Sequence, residues 1–494
     1  MNLFKSLRKG ILPFGLLIIT CLFTGCSQEE SPQQPNIIFA IADDWGWPHA
    51  GVYGDPVVQT PAFDRVANEG ILFNHAYISS PSCTPSRNAI LTGQYHWRLG
   101  TGANLWSTLD PAIPVYPLLL EEAGYQIGHY RKSWGPGKLD GWEKHPAGEQ
   151  YEKGFEDFLA KWDRGKPFCF WLGSSDPHRP YDEGSGVRSG MDLDRIRLFE
   201  CFPDDPVVRS DVADYYYEVQ RFDTLVMNAI RSLEKIGQME NTIIVVTGDH
   251  GMPFPRCKSN NYDSGARVPL AIRWGSGIKS PGRIIDDFTS MVDMAPTFLE
   301  IAGVEIPEVM TGKSLVSLLK SKKQGIIDPD QRGYVLHGKE RHVPGQEGNM
   351  GGYPSRAIRN HDFLYIRNFK PERWPAGTPD PDKAFLPHFW LADCDNGPTK
   401  TYMVENRDKD EHHRLLYELS FGKRPAEELY DCRKDPEQLL NLADDPAYGD
   451  IKESMAELLM EQLELTADPR VIGGGDKFDE YPYLGGGPKA PPRE

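Results

Sequence analysis

The segment Asn36-Ile-Ile-Phe-Ala-Ile-Ala42 is apolar almost throughout and stops abruptly at Asp43-Asp44. A strand that buries one face alternates apolar and polar residues, so an unbroken apolar run needs cover on both faces. The pattern returns at Thr242-Ile-Ile-Val-Val-Thr-Gly248, which stops at Asp249-His250, and at Phe168-Cys-Phe-Trp-Leu-Gly173, which runs into Ser174 to Tyr181. The segments "ILFNHAYI", "QIGHYRK" and "VPLAIRW" read as further strands. Helical spacing fills the intervals: "TPAFDRVANEG", "YPLLLEEAGY", a long amphipathic stretch from Asp211 to Gln238, and "DMAPTFLEIAG". This alternation predicts an α/β fold, a large mixed and mostly parallel sheet sandwiched by helices. Ligands bind such sheets beyond the carboxyl ends of the strands. Asp43-Asp44, Ser174 to Tyr181 and Gly248 to Gly251 all fall there, and that convergence marks the candidate site.

Beyond about residue 350 the texture changes. "YPSRAIRN" and "DFLYIRNF" read as short alternating strands joined by a turn, and a loop rich in Pro, Asp and Gly follows, roughly 371 to 402. "ELYDCRKDPEQLLNLADDP" and an amphipathic helix over 451–465 complete a smaller α+β subdomain with an antiparallel sheet. The expected organisation is a leader at 1–26, a catalytic domain at 27–350, the subdomain at 351–470 and a surface extension at 471–494.

Lys5, Arg8 and Lys9 precede a largely apolar stretch from Ile11 to Phe23 that is too short for a comfortable membrane span and ends in "LFTGC". This reads as a bacterial lipoprotein-type signal peptide, with Cys26 as the lipidated first residue of an exported, membrane-anchored protein in the periplasm or at the cell surface. The alternative is an ordinary signal peptide cut nearby. A net charge of −17 argues against nucleic acid as a partner. An anionic substrate would need positive charge gathered locally. Once Cys21 and Cys26 are set aside, Cys83, Cys169, Cys201, Cys257, Cys394 and Cys432 remain. They are scattered with no C-x-x-C pair, which argues against a zinc site and leaves disulfides unassigned.

One cysteine stands out. In Ser80-Pro-Ser-Cys-Thr-Pro-Ser-Arg87, Pro85 fits the first turn of a helix, and Cys83 lies where helix N–H groups and the dipole favour an anion. Arg87 follows one turn on and can reach back over the same spot. A buried inert thiol is the bland alternative. A cysteine-phosphatase loop is another, but it would carry C-x5-R with several glycines, and this stretch is C-x3-R with none.

Cys83-Thr-Pro-Ser-Arg87 with the following "NAILTG" resembles the type I sulfatase signature, C-x-P-S-R-x-x-x-L-T-G. "IIFAIADDWGW", "DPHRPY", "GDHG" with Lys258 and "YDSGARVP", and "ELYDCRKDPEQLLNLA" resemble further segments of that family in the right order, so the likeness covers residues 36 to about 465. "GDHGMPFP" and "YPSRAIRNHDFLYIRNF" look closest to its sulfamidase branch, the heparan N-sulfatases. The resemblance implies an alkaline-phosphatase-like fold. It also implies that a formylglycine-generating or anaerobic sulfatase-maturing enzyme oxidises Cys83 to formylglycine (3-oxoalanine). The hydrated aldehyde would then attack sulfur with one hydroxyl and expel sulfate through the other. Asp43, Asp44, Asp249, His250 and the modified Cys83 are implied to hold one divalent ion, calcium given the oxygen ligands. The catalytic set implied is Cys83, Arg87, Lys132, His178 and Lys258, with His178 as general acid. One mismatch is plain. Many members carry Gly-Lys-x-His after the strand read here as "QIGHYRK"; this chain has "YRKSWGPGK", with Lys132 at the lysine position and Ser133 or Trp134 where histidine is expected. His129 lies upstream at the wrong offset.

The implied substrate is a sulfated polysaccharide or its oligosaccharides, with O-sulfate of an algal polymer such as ulvan or carrageenan and N-sulfoglucosamine both open. Trp45, Trp47, Trp97 and Trp134 are candidates for stacking on sugar rings. Lys339, Arg341 and His342 in "HGKERH" are candidates for a second anionic group. The competing readings are a phosphatase or phosphodiesterase of the same fold, and a carbohydrate-binding lipoprotein that does no chemistry.

Overall fold

The computed structural model describes residues 34–491. The leader and Cys26 therefore lie outside the described residues. Eight strands form the main sheet: β1 (Asn36–Ala42), β2 (Ile71–Phe73), β4 (Gln126–Tyr130), β5 (Glu149–Gln150), β6 (Phe168–Gly173), β7 (Thr242–Gly248), β8 (Leu270–Trp274) and β9 (Arg283–Ile285), in the spatial order β5-β4-β6-β1-β7-β8-β2-β9. Only β8 runs antiparallel to its neighbours. A two-stranded pair joins β3 (Ala76–Tyr77) to β10 (Thr289–Ser290). An antiparallel sheet follows, β11 (Tyr334–Lys339), β12 (Ser355–Asn360), β13 (Phe363–Asn368) and β14 (Glu427–Asp431), paired in that order.

The unbroken apolar runs are explained by the packing. Ile38 and Ala40 of β1, with Ile244 and Val246 of β7, enter one hydrophobic core. Ile37, Phe39 and Ile41, with Ile243 and Val245, enter the other on the opposite face. Each large aliphatic side chain so buried contributes about 1.5–3 kcal/mol, and two covered faces leave no polar position along the strand until it exits the sheet.

Four differences from the sequence reading have clear causes. The long helix spans Pro206–Lys235 rather than Asp211 to Gln238. Asp205 caps it through Val207 N–H, Pro206 takes the first helical position, and Gly237 follows its end at φ 70°. "ILFNHAYI" is two strands in two sheets, parted at Asn74-His75, because Asn74 N–H turns to Ile285 O. The antiparallel sheet starts at Tyr334, ahead of the boundary expected near 350. The segment expected as a surface extension carries an anchor: Phe478 is buried, its carbonyl accepts from Asn104 Nδ2, and Asp479 pairs with Arg373. All six cysteines among the described residues are free and buried. Among those residues no helix is long and apolar enough to cross a membrane.

Candidate active site

Four neighbouring parallel strands, β4, β6, β1 and β7, point their carboxyl ends at one place. Lys132 follows β4, His178 follows β6, Asp43-Asp44 follow β1, and Asp249-His250 follow β7. The helix Cys83–Thr92 brings Cys83 to the same point with its N-terminus. Two glycines allow this convergence. A Cβ on Gly248 would lie 2.0 Å from Trp45 O, and one on Gly251 would lie 2.0 Å from Ser264 O. Asp44 adopts φ 72°, a left-handed conformation that is unusual for a non-glycine residue. Its N–H donates to Asp249 Oδ1 at 2.8 Å and its carboxylate takes Lys258 Nζ at 2.9 Å, so the surroundings hold it there.

Asp43, Cys83, Asp249 and His250 can each offer a ligand atom within 4.8 Å of the others, and so can Asp43, Asp44 and His178. His250 donates from Nδ1 to Gly251 O, which aims Nε2 at Cys83 Sγ (3.2 Å) and Asp44 Oδ1 (3.2 Å). Burial is the main influence raising the Cys83 thiol well above its ordinary range; Lys132 and Lys258 oppose it.

The donor set suits a hard divalent cation. Three carboxylates converge, and His250 adds a nitrogen that is less usual for calcium. Arg87, Lys132 and Lys258 stand against Asp43, Asp44 and Asp249, so a divalent cation here would leave the site positive, as a sulfate group requires.

Arg87 is fully buried, and its hydrogen bonds go to the ligand framework rather than to Cys83. Nε donates to Asp249 Oδ2 (2.8 Å), Nη1 to Lys132 O (2.6 Å) and Nη2 to Ala42 O (3.4 Å). Lys132 Nζ meets both oxygens of Asp43 at 2.6 Å. His178 Nδ1 lies 2.5 Å from Arg179 O, which places a proton there, and the ring offers a ligand atom within 4.8 Å of Asp43 and Asp44.

The position where the family has histidine is filled differently. Ser133 is buried with no partner for its Oγ among the described residues, and the Trp134 indole N–H donates to Asn88 Oδ1 at 2.6 Å. His129 stacks on His145 and bonds Gly148 O, away from the cluster. Besides His250, a second imidazole reaches the start of the Cys83 helix: His342 Nδ1 lies 2.8 Å from Ser82 Oγ. This contact occupies the N-cap side chain, so Ser82 makes no capping hydrogen bond.

The expected substrate contacts fare unevenly. Lys339 is buried and its Nζ is held by Ser259 O, Pro375 O and Asp393 Oδ2. Arg341 is buried and donates to Met350 O and Pro482 O. Both charges serve the protein's own acceptors, which corrects the expectation that they bind substrate. Trp45 and Trp97 are core residues at 1% exposure and cannot stack on a sugar. Trp47 is half-buried under the Arg267 guanidinium. Trp134 is half-buried on the loop beside the cluster.

One residue went unnoticed in the sequence. Asp395, from the loop that ends where the helix Pro398–Glu405 begins, rather than at about 402 as expected, places Oδ2 2.8 Å from Lys258 Nζ. No motif surrounds it, and only the folded loop brings it to the site.

The sulfatase family model matches residues 35–304, which hold every strand end of this cluster. The chain belongs to the sulfatase family. As a sulfatase it is a sulfuric ester hydrolase. The ulvan-active sulfatase of Formosa agariphila is 29% identical over 493 residues, covering 94% of this chain and 90% of that one. The human N-sulphoglucosamine sulphohydrolase is 26% identical, covering 90% and 93%. Among solved structures, one in complex with its substrate D-glucosamine-2-N,6-O-disulfate aligns with a TM-score of 0.61 at 22% identity, over 88% of this chain and 99% of the other. That likeness establishes the alkaline-phosphatase-like sulfatase fold.

Proposed function

We propose that this sulfatase removes sulfate groups from a sulfated polysaccharide or its oligosaccharides, using formylglycine made from Cys83 and a calcium ion held by Asp43, Asp44, Asp249 and His250. The observation that carries the reading is the placement of Cys83 Sγ 3.2 Å from His250 Nε2, within a cluster of buried carboxylates at the strand ends. The bound cation would neutralise sulfate oxygens and favour the nucleophile, and the aldehyde would supply a nucleophile that an unmodified thiol does not.

The chain's own residues do the rest. Arg87 holds Asp249 and the backbone before Asp43 in place, so the carboxylates stay crowded. Lys132 and Lys258 add fixed positive charge on either side. His178 is bonded through Nδ1–H to Arg179 O, so it is the imidazolium form, with its second proton on Nε2, that would pass a proton to the leaving oxygen.

The ulvan-active relative's near-full coverage favours O-sulfate on an algal polymer. A second reading, N-sulfoglucosamine, is favoured by the comparable coverage of the human sulphohydrolase. Sulfate release from ulvan oligomers, carrageenan oligomers and glucosamine N- and 6-sulfates by the matured enzyme tests both. Turnover of the algal oligomers alone supports the first, turnover of the N-sulfate alone supports the second, and release from none refutes both. The reading further requires a maturing enzyme as partner. The leader supports a lipid-anchored location at the cell envelope, which loss of membrane association in Cys26→Ser would test.

A further inference from the structure

Asp395 is an acid at the rim of a site built for an anion. It cannot itself bind sulfate, since two negative charges at that range repel. Its Oδ2 is taken by Lys258 at 2.8 Å, and Lys258 also reaches Asp44 at 2.9 Å. Among the described residues Oδ1 has no hydrogen-bond partner and is not among the buried unpartnered atoms, and the side chain is 19% exposed. His178 and His342, with Lys258, lie close enough for their charges to act on the carboxylate. An acceptor so placed, next to the lysine that faces the reacting group, suits a donor carried by the substrate.

The loop that presents Asp395 is built to stay put. Lys400 Nζ is buried among Trp390 O (3.0 Å), Leu391 O (3.1 Å), Cys394 O (2.8 Å) and Asn396 Oδ1 (2.9 Å). From the helix Pro398–Glu405, this ammonium ties three loop carbonyls and one side-chain amide to one point. Asp393, two residues before Asp395, is fixed on its other side by Lys339 Nζ (2.7 Å), Val343 N–H (2.9 Å) and Ser259 Oγ (3.2 Å). This gives the buried Lys339 a purpose other than substrate contact.

We propose that Asp395 sets substrate specificity: its open oxygen accepts a hydrogen bond from a hydroxyl or amine on the sugar beside the sulfated position, and its charge rejects a second anionic group there. Lys400 is the positioning residue that holds Asp395 in register. The proposal rests on the sulfatase reading above.

The test compares kcat and KM of matured wild type, Asp395→Ala, Asp395→Asn and Lys400→Met. The probes are para-nitrophenyl sulfate, which has no neighbouring donor, and the sugar sulfates of the preceding section. The loss in kcat/KM for Asp395→Ala should be at least about tenfold larger on the preferred sugar than on the aryl sulfate. Lys400→Met should show the same imbalance with a raised KM, a pattern that general loosening of the fold would not produce. Asp395→Asn should narrow the wild type's discrimination against a sugar carrying a second sulfate beside the first. Equal losses on both probes, or none on either, would overturn the role of Asp395. A wild-type enzyme that releases sulfate from no probe would instead overturn the sulfatase reading, and the proposal with it.

Discussion

Two of the buried charge clusters in this molecule make a contrast, and one of the two is built for chemistry. Near the C-terminus Arg356 is fully buried, with Nε on Asp468 Oδ2 (2.5 Å) and Nη2 on Glu340 Oε1 (2.6 Å), while Arg470 takes Glu340 Oε2 at 2.7 Å. Two acids meet two guanidiniums, and the geometry is close to bidentate. At the strand ends the acids instead crowd one another around Cys83 and His250. The first arrangement joins β11 and β12 to the C-terminal helices. The second keeps like charges closer than they would choose and leaves ligand atoms facing inward. Burial and pairing alone therefore do not mark a site; the convergence of several acids on a sulfur and an imidazole does.

The comparison can be broken most severely at Cys83. Cys83→Ala should lower kcat on the order of 10⁴-fold or more, as loss of a nucleophile does, while unfolding midpoints in denaturant move little. Asp249→Asn comes next. It removes a charge from both the ligand set and the Arg87 pair, so activity should fall at least about a hundredfold. Calcium should raise the Tm of wild type by mass action and fail to raise that of the variant. Arg356→Met is the contrast. It leaves Asp468 and Glu340 short of a partner and should cost about 3–5 kcal/mol in denaturant titrations, with kcat per folded molecule unchanged. Such a loss of activity from Arg356→Met, without unfolding, would erase the distinction between the clusters.

The smallest effect expected is a pH dependence at Lys400. Burial pushes this ammonium down to about 8, whereas an unfolded lysine keeps its proton to about 10.4. Between those values the unfolded chain binds more protons, so stability should rise with pH across that window. The difference in unfolding free energy between wild type and Lys400→Met, followed from pH 7 to 10.5, reads it directly. A flat difference would contradict the burial assigned to Lys400.

The sequence reveals the parts of the site that sit at strand ends, because an apolar run that stops at acids records both the burial of the strand and the place where it opens. Asp43, Asp44, Asp249 and His250 were legible for that reason, and Cys83 with Arg87 through their helical spacing. Lys339 and Arg341 misled because charge in a loop looks the same whether it faces solvent or a buried carbonyl. Only packing shows that both are enclosed. Asp395 was invisible for the converse reason. It lies in a stretch without period or motif, and its position depends on Lys400 gathering carbonyls that the sequence does not distinguish from any others. The start of the long helix was set by Asp205 and Pro206, a capping signal that hydrophobic periodicity passes over.

The central claim is that Cys83 is the precursor of the reactive group. Mass spectrometry of the peptide spanning Cys83, taken from enzyme matured in a host with a sulfatase-maturing activity, tests it most directly. The expected peptide is lighter than the encoded one by the sulfur and two hydrogens lost, less the oxygen gained, and traps aldehyde reagents in proportion to the active fraction. A fully active preparation in which Cys83 remains an intact thiol would contradict it.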